Sequence, residues 1–205
     1  MSTFLFDTAG LEAGYVENFD ATCKALKQKH HIEVPGYINF QLDQFEVLKH
    51  CNEINTRDAY AIKHNGPDSY MLFLELCNNT IEKGEFHHHN QYQPWALTYL
   101  KHNFGRVIIR TETFVDKLKE LLLPLELDFK EDKPFSKRFY VLTNDKEKAA
   151  NAMTQPFRDA VMSIKETDFI IEIFEHTLII GNRKPILPEH ACYLAEFVTK
   201  VAAIN

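Results

Sequence analysis

The stretch Tyr70-Met71-Leu72-Phe73-Leu74-Glu75-Leu76-Cys77 constrains the fold of this chain more than any other. It is nearly continuous in apolar side chains and follows the turn signal Asn65-Gly66-Pro67-Asp68. Such a short run, bounded by a turn, reads as a strand buried on both faces. It is far too short to cross a bilayer, which takes about 20 residues of helix. A buried strand needs paired neighbours, and flanking segments supply candidates. Ile38, Phe40 and Leu42 alternate with Asn39, Gln41 and Asp43, the period of two that puts apolar groups on one sheet face. Phe45 to Leu48 continues this after a bend, and Ala59 to His64 reads as a further strand. Together these predict an antiparallel meander.

Helical spacing marks both ends of the chain. Leu11, Tyr15, Phe19, Cys23 and Leu26 form one stripe and predict a helix over 9–30. Pro188 suits the first turn of a last helix whose buried face is Leu194, Phe197, Val198 and Val201. Between them, Asn78 to Pro94 is polar and reads as a loop, with a short helix or strand from Pro94 to Leu100. Arg106 to Thr111 is a strand, and Thr113 to Leu122 is a short helix ended by Pro124. Leu125, Leu127 and Phe129 alternate again, Lys130 to Ser136 is a charged connector, and Arg138 to Leu142 is a strand. Asn144 to Glu147 has capping-box spacing. The helix it opens breaks near Pro156 and resumes with Phe157, Ala160, Val161 and Ile164. Asp168 to Phe174 and His176 to Ile180 form a hairpin about Glu175. The predicted class is α+β: mainly antiparallel sheet, with an N-terminal helix, a mid-chain helix pair and a C-terminal helix. The chain reads as a single globular domain, 1–205, with two lobes, 1–90 and 91–205, as the alternative division.

With 205 residues, 45% of them apolar, and sixteen Phe, the chain can bury roughly 70% of its unfolded surface. It therefore needs no metal or disulfide to fold. The net charge is −6 and no long run of like charge occurs, which argues against general nucleic-acid binding, since that requires concentrated cations. Cys23, Cys51, Cys77 and Cys192 are far apart with no C-x-x-C pair. They read as reduced thiols in a reducing compartment, and the expected location is the cytoplasm. Met1-Ser2-Thr3-Phe4 carries neither a basic nor an apolar leader region.

The second half carries an ordered set of features: Val107-Ile108-Ile109, Leu125-Glu126-Leu127-Asp128-Phe129, Phe135-Ser136-Lys137-Arg138-Phe139, Asn144-Asp145 opening a helix, a strand around Glu172, and Thr177-Leu178-Ile179-Ile180. In this order, from Arg106 to Ile204, the chain resembles an uncharacterised family of bacterial proteins. Members are often soluble domains attached to membrane segments, and this chain departs from them by having no such segment. The resemblance implies no activity, so no functional residue is carried over from it.

The triplet His87-His88-His89 is the most distinctive chemical feature. On an extended backbone His87 and His89 point the same way, and neutral imidazoles bind zinc and similar ions. Glu82, Glu85 or His102 can supply further ligands. Against this, no H-E-x-x-H or cysteine-rich partner motif accompanies the triplet, and a solvated loop is the simpler account. Glu126 and Asp128 share a strand face, as paired carboxylates must, yet they oppose an apolar face and read as solvent-exposed. Glu172, between two isoleucines, either faces outward or needs a buried partner such as Arg138. Lys133, Lys137 and Arg138 surround Phe135 and Phe139, a mix that can bind single-stranded nucleic acid, but Glu131 and Asp132 dilute the charge. No G-x-S-x-G, P-loop or dinucleotide fingerprint occurs.

The expected function is a non-catalytic interaction or accessory protein of a bacterial cytoplasm. The alternative is a metal-dependent enzyme or metal sensor using the His87–His89 loop. No catalytic residue, metal ligand or cofactor is assigned. A protein partner is expected, nucleic acid is not, and peripheral but not spanning association with a membrane is allowed.

Overall fold

The computed structural model describes residues 8, 10–82, 85–111, 125–166 and 168–204. Its strands pair into one antiparallel sheet. They are β1 (His31–Glu33), β2 (Glu53–Lys63), β3 (Ser69–Glu82), β4 (Glu85–Tyr99), β5 (Arg106–Thr111), β6 (Leu125–Glu126), β7 (Phe139–Thr143), β8 (Ile170–Phe174) and β9 (Thr177–Gly181). Their order across the sheet is β1-β2-β3-β4-β9-β8-β5-β7-β6. The helices are α1 (Ala13–Lys29), α2 (Lys133–Arg138), α3 (Lys146–Ala152), α4 (Gln155–Met162) and α5 (Pro188–Ile204). The chain is thus α+β with a mainly antiparallel sheet, as its periodicities predict. Residues 90 and 91 are neighbours inside β4. No helix among the described residues is long and apolar enough to cross a membrane.

Both faces of the sheet are covered, which is why Tyr70–Cys77 is apolar at nearly every position. On one face Met71, Phe73, Ile109, Ile171 and Ile180 pack against Phe19 and Leu26 of α1, Phe157 of α4, and Leu194 and Val198 of α5. On the other, Leu72, Leu74, Trp95, Ile108 and Ile179 pack under Phe40, Phe45, Val47 and Leu48. Each core side chain of that size, fully buried, contributes about 1.5–3 kcal/mol. At the junction of β4 and β9 the Trp95 indole lies so close over Gly181 that a Cβ there would overlap the ring.

Several expectations are corrected. The alternating segment 38–43 is not a strand. The Asn39 carboxamide oxygen accepts from the Gln41 N–H at 3.0 Å, Gln41 turns left-handed (φ 50°), and two 3-10 turns follow at Leu42–Gln44 and Glu46–Leu48. Phe40 is buried, and Ile38 and Leu42 half-buried, by lying across the sheet rather than by joining it. Asn78–Pro94 is not a loop: it completes the long hairpin of β3 and β4, in register from Ser69↔Thr98 to Glu82↔Glu85. Its sequence is polar because much of this outer stretch meets water, as at His89, Asn90 and Gln91. The apolar periodicity that betrays a strand is therefore missing, while the backbone ladder is intact.

The helix after β7 is capped one residue later than predicted. Asp145 accepts from the Lys148 N–H at 3.1 Å, while the Asn144 side chain accepts from the Arg106 N–H at 2.8 Å. The charged connector holds α2, with Asp132 as its cap and Pro134 in its first turn. Glu175 adopts φ 52° because it is the first residue of a two-residue turn between the paired Phe174 and Thr177, and both its backbone groups are held. Its N–H donates to Gly105 at 2.6 Å and its carbonyl accepts from Phe104 at 2.9 Å. The helix predicted for Thr113–Leu122 lies outside the described residues.

Candidate functional site

The outer halves of β2, β3 and β4 form an arm that runs on past the last β4–β9 pair, Trp95 with Gly181. Its charge chemistry centres on Glu75, which is 3% exposed. Both oxygens are satisfied. One accepts from Arg57 Nε at 2.9 Å and Nη2 at 2.8 Å, the other from Asn90 Nδ2 at 2.9 Å and the Tyr92 hydroxyl at 2.8 Å. Arg57 reaches inward because β2 bulges there: the register shifts between Thr56 and Asp58, leaving Arg57 as the extra residue, and bulges re-aim side chains in this way. Burial and the bond to Glu75 push the Tyr92 phenol up, and the ring of Tyr15 in α1 packs against it at 4.8 Å, tilted by 57°. Glu75 therefore ties the strands of the arm together and is not free to act on a substrate.

His87 and His89 occupy the opposite face of β4, their rings 6.3 Å apart and inclined by 23°. They do point the same way, but from a strand rather than a loop. No group of three His, Cys, Asp or Glu side chains positioned to hold an ion occurs among the described residues. The side chains of His88, Glu82 and Glu85 lie outside that description, and His102 sits exposed in the turn between β4 and β5.

Glu172 does not face outward, and its partner is not Arg138. It is fully buried and pairs with Arg106, while its other oxygen accepts from the Val47 N–H at 2.8 Å. Arg106 also donates to the Gln44 carbonyl at 2.8 Å and lies over the Phe174 ring. This pair pins the 3-10 turns onto the sheet. Burial holds the Glu172 carboxyl above the usual range, against the pull of Val47, Glu46 and Arg106. Arg138 instead donates to the carbonyls of Met162 and Ile164.

Glu126 and Asp128 are both exposed, and so are Lys133 and Lys137, whereas Phe135 and Phe139 are core residues. No base can stack on those rings. Burial raises the Cys23 thiol to about 11 and also raises Cys51, Cys77 and Cys192. All are free thiols, and protonated thiols are poor nucleophiles.

Two arrangements escaped the sequence. His64 Nε2 lies 2.9 Å from Ser69 Oγ, the spacing of a nucleophile and its base. Ser69 is fully buried and also bonded to Thr98 at 2.8 Å, so no substrate reaches it. Cys23 donates to the Tyr60 hydroxyl at 3.6 Å, beside Asp58, whose carboxyl burial also raises. Neither pair has a spacing that a sequence motif would reveal.

The fold and these clusters define a class: an α+β protein on one broad antiparallel sheet, whose buried ionisable groups hold segments together. Neither protein-family models nor curated proteins match the chain. Among solved structures it is similar to the crystal structure of the mycobacterial trehalose monomycolate transport factor A, TtfA. The TM-score is 0.57 at 10% identity, over 94% of this chain and 95% of that one. At that identity the likeness is one of fold.

Proposed function

We propose that this chain is a non-catalytic accessory protein of the bacterial cytoplasm, and that its arm docks another polypeptide. One observation carries this: among the described residues the outer half of β4 has a paired neighbour on one side only, and such an edge is a template for another strand. The fold it shares with a transport factor and the resemblance of its second half to often membrane-attached bacterial domains favour an accessory role at a larger assembly. The buried Ser69 and the raised thiols also speak against covalent catalysis.

A photo-crosslinking residue at exposed Gln91, expressed in the native host, is expected to capture a polypeptide. The same residue at exposed Lys146, on α3, is not. Equal capture at both positions, or none at Gln91, sinks the docking role. The cofacial His87 and His89 keep metal binding as a second reading. Elemental analysis of untagged protein decides it, with about one equivalent of bound metal expected if they hold an ion.

A further inference from the structure

Asn65-Gly66 is the only Asn-Gly pair in the chain. It stands in the turn between β2 and β3, past their last pair, Ile62 with Ser69. An asparagine followed by glycine is open to attack on its own side chain, because no Cβ shields the next backbone nitrogen. This turn leaves the pair unprotected. Asn65 is exposed. Among the described residues its carboxamide makes no hydrogen bond, and the Gly66 N–H has no acceptor. Asn103 and Asn144 differ: their side-chain oxygens accept from the Gly105 and Arg106 N–H groups, each at 2.8 Å.

A base stands beside the pair. The His64 imidazole lies so close on Gly66 that a Cβ there would come within 2.9 Å of Nδ1 and 3.0 Å of Cε1. A chain of hydroxyls decides which ring nitrogen carries the proton. Thr98 Oγ1 donates to the Asp68 carbonyl at 3.4 Å, which uses its only proton. The 2.8 Å bond between Ser69 and Thr98 is then donated by Ser69, and the Ser69 oxygen accepts from His64 Nε2 at 2.9 Å. The opposite arrangement would take the Thr98 proton from Asp68 and leave an Nδ1 proton without an acceptor. A neutral imidazole that donates from Nε2 keeps a lone pair on Nδ1, the nitrogen against Gly66. Burial favours that neutral form, against the pull of Asp68.

We infer that Asn65 is a self-modifying site, at which His64 acts as general base for loss of the side-chain amide nitrogen. Nδ1 takes the Gly66 amide proton, directly or through one water. The Gly66 nitrogen attacks the side-chain carbonyl carbon of Asn65. A bond forms between that nitrogen and Asn65 Cγ, and the bond from Cγ to Nδ2 breaks. The imidazolium gives its proton to the departing nitrogen, which leaves as ammonia. The product is a five-membered cyclic imide, and water opens it at either carbonyl. One opening leaves aspartate. The other leaves isoaspartate, with an extra carbon in the main chain. Nothing is oxidised or reduced, and water is the only co-reactant. Either product puts a second carboxylate into the turn that holds Asp68. Isoaspartate also lengthens a turn that rests on the end of α5, where the Ala202 carbonyl lies 3.4 Å from the same Gly66 Cβ position. The β2–β3 turn therefore changes with the age of the molecule.

Peptide mass spectrometry of the full chain, held for days in neutral buffer, tests this against a portion unfolded in guanidinium chloride. Folding ordinarily slows the reaction by restraining the backbone. Here the folded wild type should convert Asn65, with isoaspartate among the products, at least as fast as the unfolded portion. His64→Gln should slow the folded chain about tenfold or more and restore the ordinary order of the two rates. The pH profile tests the base without a variant. With a neutral imidazole as base the folded wild-type rate levels off above the titration of His64, whereas hydroxide alone would make it climb throughout. An Asn65 that stays intact in the folded chain while the unfolded chain converts overturns the inference. So does a folded rate that climbs in proportion to hydroxide, or one that His64→Gln leaves unchanged.

Discussion

The arm and the body of this sheet each bury a glutamate against an arginine, and the two pairs serve different ends. In the arm, Glu75 gathers donors from Arg57 on β2 and from Asn90 and Tyr92 on β4, so one carboxylate staples three adjacent strands. In the body, Glu172 reaches a segment 125 residues away in sequence, at Val47, and with Arg106 clamps a non-sheet lid over the core. The first stiffens a region that has little covering it. The second decides whether one face of the core is covered at all. Breaking a buried pair by removing one member is destabilising because the other charge is left unsatisfied, but the consequences should differ in size and place.

Glu172→Ala should have the largest effect, a loss of about 3–5 kcal/mol in urea unfolding. New proteolytic cleavage is expected between Phe40 and Lys49 before global unfolding. If that segment stays resistant, the clamp is not what holds it. Arg57→Ala should cost less, about 2–3 kcal/mol for the lost charged hydrogen bonds, because Arg57 is partly exposed and water can replace part of its contact. Hydrogen exchange should then lose protection in residues 53–58 and 85–92 while β8 and β9 keep theirs. Uniform loss across the sheet would erase the distinction between arm and body. Gly181→Ala, at the boundary of the two, forces the Trp95 ring to move and should cost about 1–2 kcal/mol of overpacking strain. A gain in melting temperature would show that the indole has room to shift.

The smallest effect is a slope with pH. The folded chain raises the Glu172 carboxyl, so it binds that proton more tightly than the unfolded chain does. Its contribution to stability therefore falls as pH rises from the ordinary carboxyl range through the folded value. Asp132 is shifted the other way, chiefly by its bond to Arg158, and its contribution is lost as pH falls through the depressed value. Urea midpoints of wild type and Glu172→Gln, compared at roughly pH 5 and pH 7, should diverge, the wild type losing ground at the higher pH. Parallel midpoints would mean that Arg106 offsets the burial of Glu172 completely.

How much of this was readable beforehand follows the same division. The body was legible because its strands and helices are sided: Arg106–Thr111, the 170–181 hairpin and α5 carry clear apolar patterns. The arm was not, because a strand wetted beyond its core shows no alternation, and His87-His88-His89 looks like loop chemistry until its backbone pairs with β3. The segment 38–43 fails in the opposite sense. It alternates like a strand, but Asn39 and Gln41 make a local turn that pattern counting does not see. The partner of Glu172 was unreadable because Arg106 stands 66 residues away and no spacing rule links them. Glu75 was hidden inside an apolar run, where a lone carboxylate is in fact a sign that a buried cation waits nearby.

The β8–β9 hairpin has a further consequence. It lies between β4 and β5, joining a first-half sheet of β1–β4 to a second-half sheet of β5, β7 and β6, yet it follows every one of those strands in the chain. While the chain is still emerging from the ribosome, the two half-sheets present raw edges to one another with no bridge. A protein shortened before Phe169 would remain in that divided condition permanently.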